Sequence, residues 1–308
     1  MSGLTVSVSP HIRCGRTTRG IMLDVVIALT PALIASAILF GWRAPMLTAI
    51  SVAVCVLTEY SWERLHKQET TIGDCSAIVT GMLLAFNVPS TFPVWELIVG
   101  DIAAIAVVKM LFGGIGRNFV NPALVGRIIL SFSFTSDMNA YAFPKNAPDV
   151  LSSATPLAVM DKLNWSNFPD LLLGRHGDVI GCACALALIA GGIYLIVRGV
   201  IKPIIPLSYI GAVAFFTWIF GGKNPILSVF AGGLLLGAIF MATDYTTSPF
   251  TNKGKLIYGL GCGLLTAAIR RFSNSAGGVS FAILLMNLLV PYINDATMHK
   301  PFGGVKVK

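Results

Sequence analysis

The chain has 308 residues, of which 55% are apolar and only 12% are charged, and its mean hydropathy is +0.77. An average soluble domain carries about 25% charged residues, so this composition argues against a soluble enzyme and indicates a polytopic membrane protein. The net charge of +8 does not point to nucleic acid, because the basic residues mostly flank apolar runs, as topology anchors do.

Apolar runs of about 20 residues, the length needed to cross a bilayer, recur along the whole chain. They lie near residues 21–40, 45–62, 94–113, 119–135, 177–197, 204–220, 225–243, 255–270 and 275–293. A shorter run lies at 75–88, where Gly81 and the following Pro89 predict a short or broken helix. The sequence therefore predicts an all-α membrane protein with about ten transmembrane helices.

The basic residues in the connecting segments predict the orientation. If the N-terminus is cytoplasmic, the larger share of these residues lies on the cytoplasmic side, as the positive-inside rule requires. Both termini are then cytoplasmic, and the polar segment 136–176 lies outside. Arg270 and Arg271 also fall outside in this topology, against the rule.

The two halves of the chain carry similar segments, which predicts an internal repeat. TGMLLAFNVP matches LGAIFMATDY, and the separation of Gly81 from Gly237, 156 residues, equals that of Asn118 from Asn274. With five spans in each copy, the second copy is inverted relative to the first, as in many transporters. The predicted parts are a first five-helix repeat at 1–135, an extracytoplasmic loop at 136–176 and a second five-helix repeat at 177–308.

Several ionisable residues lie at or near membrane depth, where they usually face a cavity or a partner. Asp74 precedes the short third span and Asp244 ends the interrupted eighth span. Their carboxylates, together with freed backbone carbonyls, suit a cation such as Na⁺, and solvated helix caps are the alternative. Asp101 and Lys109 lie two turns apart in the fourth span, which favours a pairing through neighbouring side chains.

The glycine-rich segment FGGIGRNFVNPALVGR, residues 112–127, has neither the GxGxxG pattern nor the lysine of a nucleotide-binding loop. Asn118 and Asn121 are three residues apart, so their amides share one face of a short helix. They either bind the polar rim of a planar ligand or cap helix ends. Pro122 is expected to start the next helix.

The segment DVLSSATPLAVM, residues 149–160, is polar and lies in the longest stretch that a membrane could not hold. With FGGIGRNFVNPALVGR and MATDYTTSP, it resembles the family formed by the D subunit of the Rnf electron-transport complex and the B subunit of the Na⁺-pumping NADH:quinone reductase. The resemblance covers nearly the whole chain. Only about 20 residues precede the first span here, which favours the Rnf branch, because the quinone-reductase subunit has a substantial N-terminal extension.

The resemblance implies that Thr155 carries FMN, joined through a phosphoester to its hydroxyl. A flavin transferase would install the group from FAD, reading a motif made of Asp149, Ser152, Ser153, Ala154 and Thr155 and followed by Pro156. Ser153 stands where the family often has Gly. Asp149 would help to hold Mg²⁺ during the transfer, because phosphoryl transfer depends on charge neutralisation and positioning.

The resemblance also implies that Asn118 and Asn121 bind riboflavin noncovalently, and that Asp74 and Asp244 serve that flavin site or Na⁺ handling. The chain would be the flavin-carrying membrane subunit of an ion pump in the bacterial cytoplasmic (inner) membrane. The pump would couple electron transfer between reduced ferredoxin and NAD⁺ to Na⁺ or H⁺ translocation.

The remaining cofactors of such a pump are expected on other subunits. This chain has no Rossmann fingerprint and no iron–sulfur cysteine pattern. The expected partners are the A and E membrane subunits, the G flavin subunit, the B and C iron–sulfur subunits, and the flavin transferase. The alternatives are a subunit of a Na⁺-pumping NADH:quinone reductase and an inverted-repeat solute transporter, and the latter does not explain the flavin-acceptor motif.

Thr155→Val tests the attachment site, because it removes the acceptor hydroxyl with little change in volume. After coexpression with a flavin transferase and denaturing electrophoresis, the wild-type band is expected to fluoresce and the variant band to be dark. Ser153→Gly keeps the hydroxyl at Thr155 and is expected to retain fluorescence. A dark wild-type band would contradict the assignment.

Overall fold

The computed structural model describes residues 16–141, 143, 165–182, 184–222, 224–273 and 278–298. This part of the chain is helical and contains no β-strand. Its α-helices are α1 (Thr18–Phe40), α2 (Arg43–Leu65), α3 (Ser76–Ala85), α4 (Val94–Ile102), α5 (Pro122–Ser133), α6 (Thr135–Met138), α7 (Phe168–Leu173), α8 (Ala185–Val197), α9 (Ile204–Ile219), α10 (Pro225–Phe230), α11 (Leu234–Leu236), α12 (Asn252–Phe272) and α13 (Gly278–Thr297). Two of them, α4 and α11, continue as π-helices at Ala103–Met110 and Gly237–Met241.

Three of these helices, α1, α2 and α13, are long and apolar enough to cross a membrane. Their surfaces expose large apolar side chains, among them Ile38, Leu57 and Tyr292. Apolar surfaces of this kind mark contact with lipid or with a partner rather than with water. The predicted all-α class is therefore confirmed, and the pattern is that of a polytopic membrane protein.

The helix predicted to be short is short, since α3 has only ten residues. The run predicted at 225–243 is also interrupted: α10 ends at Phe230, α11 begins at Leu234, and Gly232 between them has a φ of +64°. Helix breaks at membrane depth leave backbone groups that need partners from elsewhere in the protein.

The helix predicted at 177–197 begins only at Ala185, so its predicted start was wrong. The preceding segment packs on the end of α3 instead. Backbone N–H groups of Ile180 and Gly181 donate to the carbonyl oxygens of Val88 and Phe86, at 3.0 and 2.9 Å. These hydrogen bonds satisfy carbonyls left free by the helix break, and the apolar composition of the segment reflects its burial rather than a helix.

Close packing of α2 on α3 depends on Gly81. A Cβ at this position would lie 2.8 Å from Cα of Val52 and 3.0 Å from the carbonyl carbon of Ser51. The hydroxyl oxygen of Ser51 also lies 2.9 Å from the carbonyl oxygen of Gly81. Because the neighbouring atoms are backbone, a side chain could enter only if the two helices moved apart.

Gly81→Ala is therefore expected to destabilise the protein by about 1–3 kcal/mol, the usual cost of overpacking. Gly211→Ala in α9 is the matched control, since a Cβ there meets nothing within 4 Å. Thermal unfolding in detergent should give a lower midpoint for the first variant and an unchanged or higher midpoint for the second. Equal midpoints would contradict the proposed close contact.

Candidate functional site

A cavity of about 450 Å³ lies between α1, the start of α3, the glycine-rich loop before α5 and the residues that follow the π-helix at 237–241. Its volume falls within the range of about 300–1,000 Å³ that is usual for small-molecule and cofactor sites. Its wall is mainly apolar, and the polar side chains in it include Ser76, Thr80, Asn118, Asn121 and Asp244. A mainly apolar cavity with a few polar groups suits a planar aromatic ligand with a polar rim.

The loop that carries Asn118 to the cavity turns through three glycines. Gly113, Gly114 and Gly116 have φ values of +103°, +86° and +86°, which other residues rarely adopt. The side-chain oxygen of Asn118 is buried and has no hydrogen-bond partner. A buried acceptor without a partner is costly, so this atom is available to a ligand in the cavity.

Asn121 also lines the cavity, but its amide is already used in two contacts. Its oxygen accepts from the backbone N–H of Ala123 at 3.0 Å and caps α5, which begins at Pro122 as predicted. Its nitrogen donates to the carbonyl oxygen of Met241 at 3.4 Å. Helix capping, one of the two interpretations of this pair from the sequence, therefore applies to Asn121, and Asn118 keeps an unpaired oxygen.

Of the two predicted carboxylates, Asp244 lines the cavity, and Asp74 contacts Ser76, which lines it. Asp244 accepts hydrogen bonds from the hydroxyls of Thr246 and Thr247, at 3.0 and 3.4 Å. Asp74 accepts from the backbone N–H and the hydroxyl of Ser76, at 2.8 and 2.6 Å. Among the described residues, no three or more His, Cys, Asp or Glu side chains come together as a metal site.

Sequence reasoning missed a polar row on α2. Ser51, Cys55, Glu59 and Glu63 recur every four residues and are all buried. This spacing places them on one face of the helix, which is the signal that could have revealed them. The row extends over about 18 Å of helix at 1.5 Å per residue.

Asp101 and Lys109, which were expected to pair through neighbouring side chains, bind different members of this row. Asp101 accepts from the hydroxyl of Ser51 at 2.6 Å. Lys109 forms an ion pair with Glu59 at 2.7 Å and donates to the hydroxyl of Ser76 at 2.6 Å. The π-helix at 103–110 follows Asp101, and a π-helix shifts the side chains after it to other faces than an α-helix would.

The ion pair of Lys109 with Glu59 connects the buried row to the cavity. Lys109 and Ser76 both line the cavity, and Ser76 also donates to Asp74. A continuous hydrogen-bonded path therefore runs from Asp74 through Ser76 and Lys109 to Glu59. Charged groups at membrane depth that face a cavity are usual in functional sites of membrane proteins.

Arg270, which lies outside in the predicted topology and so goes against the positive-inside rule, caps a helix break. Its guanidinium donates to the carbonyl oxygens of Ser228 and Ala231, at 2.8 and 3.0 Å. Both carbonyls lie at the end of α10, where a helix has no further backbone donors of its own. Arg270 is held in place by these hydrogen bonds inside the protein, so its position says little about which side of the membrane it faces.

The predicted flavin-attachment motif lies outside the described residues. It comprises Asp149, Ser152, Ser153, Ala154, Thr155 and Pro156. Its role therefore stays a prediction.

A sequence model of the NQR2, RnfD, RnfE family matches residues 5–303, nearly the whole chain. The chain belongs to this family. It is 45% identical to the D subunit of the Na⁺-translocating ferredoxin:NAD⁺ oxidoreductase complex of Acetobacterium woodii, over 99% of this chain and 97% of the relative. The resemblance stated from the sequence is thus confirmed.

Two further relatives agree with this family assignment. The D subunit of the proton-translocating ferredoxin:NAD⁺ oxidoreductase complex of Clostridium ljungdahlii is 36% identical, over 97% of this chain and 96% of the relative. The D subunit of the ion-translocating oxidoreductase complex of Erwinia tasmaniensis is 32% identical, over 98% and 99%. The family thus includes one relative named for Na⁺ and one named for protons.

Lys109→Met is expected to destabilise the protein by about 3–5 kcal/mol, because it leaves the buried Glu59 without its counter-charge. Glu59→Gln should also destabilise it, since Lys109 then loses its counter-charge. The double variant should lose less stability than the sum of the two single losses, as measured by unfolding in detergent. Strictly additive losses would contradict a direct pairing.

Proposed function

We propose that this chain is the flavin-carrying membrane subunit of a redox-driven ion pump. The pump couples electron transfer between reduced ferredoxin and NAD⁺ to translocation of Na⁺ or H⁺, and the chain acts only within that complex. The observation that carries the proposal is the 45% identity to the D subunit from Acetobacterium woodii over 99% of this chain. Agreement over nearly the full length of both proteins supports the same role in the same kind of complex.

The proposed architecture is ten transmembrane helices in two inverted repeats of five, at 1–135 and 177–308, in the cytoplasmic membrane with both termini cytoplasmic. The helix bounds support the repeat. The 156-residue offset between Gly81 and Gly237 moves α3 onto α11 and its π-helical continuation, and moves α5 onto the first part of α13. Corresponding helices also pack together, α1 on α8 and α5 on α13.

Two flavins are proposed. FMN is held covalently by Thr155 in the segment 136–176, and riboflavin lies in the cavity beside Asn118 and Asn121. A bound flavin supplies one- and two-electron redox chemistry, and the chain supplies position and electrostatics. The cavity fits such a ligand, because its apolar wall suits the planar ring and the unpaired oxygen of Asn118 suits a ring N–H.

Charged residues of the chain would influence the reduction potential of a flavin in that cavity. Lys109 lies in the cavity wall, held by Glu59, and Asp244 lies in the same wall. Asp74 and Asp244 are the proposed carboxylates for Na⁺ handling near the cavity. The proposed partners are the A, B, C, E and G subunits of the complex and the flavin transferase that loads Thr155.

Asn118→Leu tests the cavity site, because it removes the unpaired amide and keeps a side chain of similar size. Noncovalent flavin released from the purified protein by acid denaturation, and identified by chromatography, should fall about tenfold, the equivalent of one lost hydrogen bond. Asn139→Leu is the matched control, because Asn139 is an exposed residue just after the end of α6. A wild type that releases no flavin, or equal release from all three proteins, would contradict the site.

A further inference from the structure

We propose that Arg127 places a fixed positive charge between the two halves of this chain, where the two helix breaks meet, and that this charge prevents cations from passing there. The inference goes beyond the proposed function, which leaves the route of the transported ion undefined. It rests on the geometry around Arg127 and on no property of a bound flavin.

Arg127 joins the first helix break to the last helix. It lies in α5, and only 6% of it is exposed. Its Nη1 donates to the side-chain oxygen of Asn87 at 2.9 Å and to the hydroxyl of Ser280 at 2.7 Å. Asn87 follows the end of α3, and Ser280 lies in α13. The guanidinium group therefore lies beside the first broken helix, between elements from the two halves of the chain.

The second helix break meets the same guanidinium group. A Cβ at Gly233, in the gap between α10 and α11, would lie 3.6 Å from Nη1 of Arg127. In inverted-repeat transporters, substrates and coupling ions bind where interrupted helices from the two repeats meet. In this chain a side-chain cation occupies the place where those breaks meet.

The positive charge there is not cancelled by its neighbours. Both partners of Nη1 are neutral, Nε has no partner, and Arg127 forms no ion pair with any residue that the structure describes. Asp178 lies 3.8 Å from His176 and interacts more weakly with Arg127 and Arg270, so its one carboxylate does not neutralise both guanidinium groups. The local sum of these three charges remains positive.

Arg127 is separated from the wall of the cavity by two residues, Asn87 and Met241. Asn121 in the cavity wall donates to the carbonyl oxygen of Met241, and Asn87 contacts the sulfur of Met241 at 3.7 Å. Asn87 in turn accepts from Arg127. A cation attracted into the cavity by Asp244 would therefore approach a fixed positive charge if it moved past Met241 and Asn87.

A fixed unit charge can exclude cations strongly in this setting. At about 8 Å and an effective dielectric constant of about 20, the repulsion lowers the occupancy of a second cation about thirtyfold. Arginine side chains exclude cations in other pores by the same physics. The transported ion would then cross the complex by a route other than the centre of this chain.

The test is passive Na⁺ entry into liposomes that contain the whole purified complex, without an electron donor. A potassium diffusion potential drives Na⁺ inward, and a Na⁺-sensitive dye inside reports it. Arg127→Gln keeps an amide donor for Asn87 and Ser280 but removes the charge, so Na⁺ entry should rise at least about tenfold. Arg127→Lys keeps the charge, and Arg271→Gln removes an exposed charge at the end of α12, so both should stay at the wild-type rate.

Two results would overturn the inference. One is Na⁺ entry through Arg127→Gln at the wild-type rate. The other is an equally fast leak through Arg127→Gln and Arg127→Lys, since the seal would then depend on shape rather than charge.

A second variant covers the case in which the Arg127 variants fail to assemble. Asn87→Asp sets a carboxylate of the same shape against the unaltered guanidinium group, so Na⁺ entry should also rise, and an unchanged rate would contradict the inference. Flavin content, measured on the same samples, tests the proposed function separately, because the leak assay needs no electron transfer.

Discussion

Every backbone N–H and carbonyl group within a bilayer must find a partner inside the protein, and the unusual features of this fold follow from that constraint. This requirement is hardest to meet where a helix begins or ends inside the structure. Arg270 satisfies carbonyls at the end of α10, and the N–H groups of Ile180 and Gly181 satisfy carbonyls after α3. The breaks are therefore built features, each with its own supporting residues.

The same breaks create the room that a cofactor needs. The cavity forms where α3 begins, where the glycine-rich loop turns before α5, and where the π-helix at 237–241 ends. Continuous helices packed side by side would fill this space with side chains. Charged groups then gather around the cavity, because a lysine or carboxylate there can face a ligand or a partner and need not face lipid.

Much of this arrangement could be predicted from the sequence, because hydropathy and breaker residues act locally. The short α3, the start of α5 at Pro122 and the interruption before Asp244 each follow from nearby glycine or proline. The meeting of Asn118, Asn121 and Asp244 at one cavity followed from the family resemblance rather than from local pattern.

Features that depend on distant partners could not be predicted in this way. The segment before α8 reads as helix because it is apolar, and only its hydrogen bonds to Phe86 and Val88 reveal otherwise. Glu59 looks like the polar end of a span, yet it is buried against Lys109, fifty residues away. Arg270 reads as a topology signal and is a helix cap. In each case a tertiary contact overrides the local preference.

In the proposed function, electrons pass through a flavin held by this chain on their way between ferredoxin and NAD⁺. The most direct measurement uses inverted membrane vesicles and follows NAD⁺ reduction by reduced ferredoxin together with ion uptake, using complexes with Thr155 or with valine in its place. The assembled variant complex is expected to lose both activities, while the same exchange at the exposed Thr135 is expected to preserve them. Coupled ion uptake at the wild-type rate in the variant at Thr155 would mean that a flavin on Thr155 does not carry these electrons.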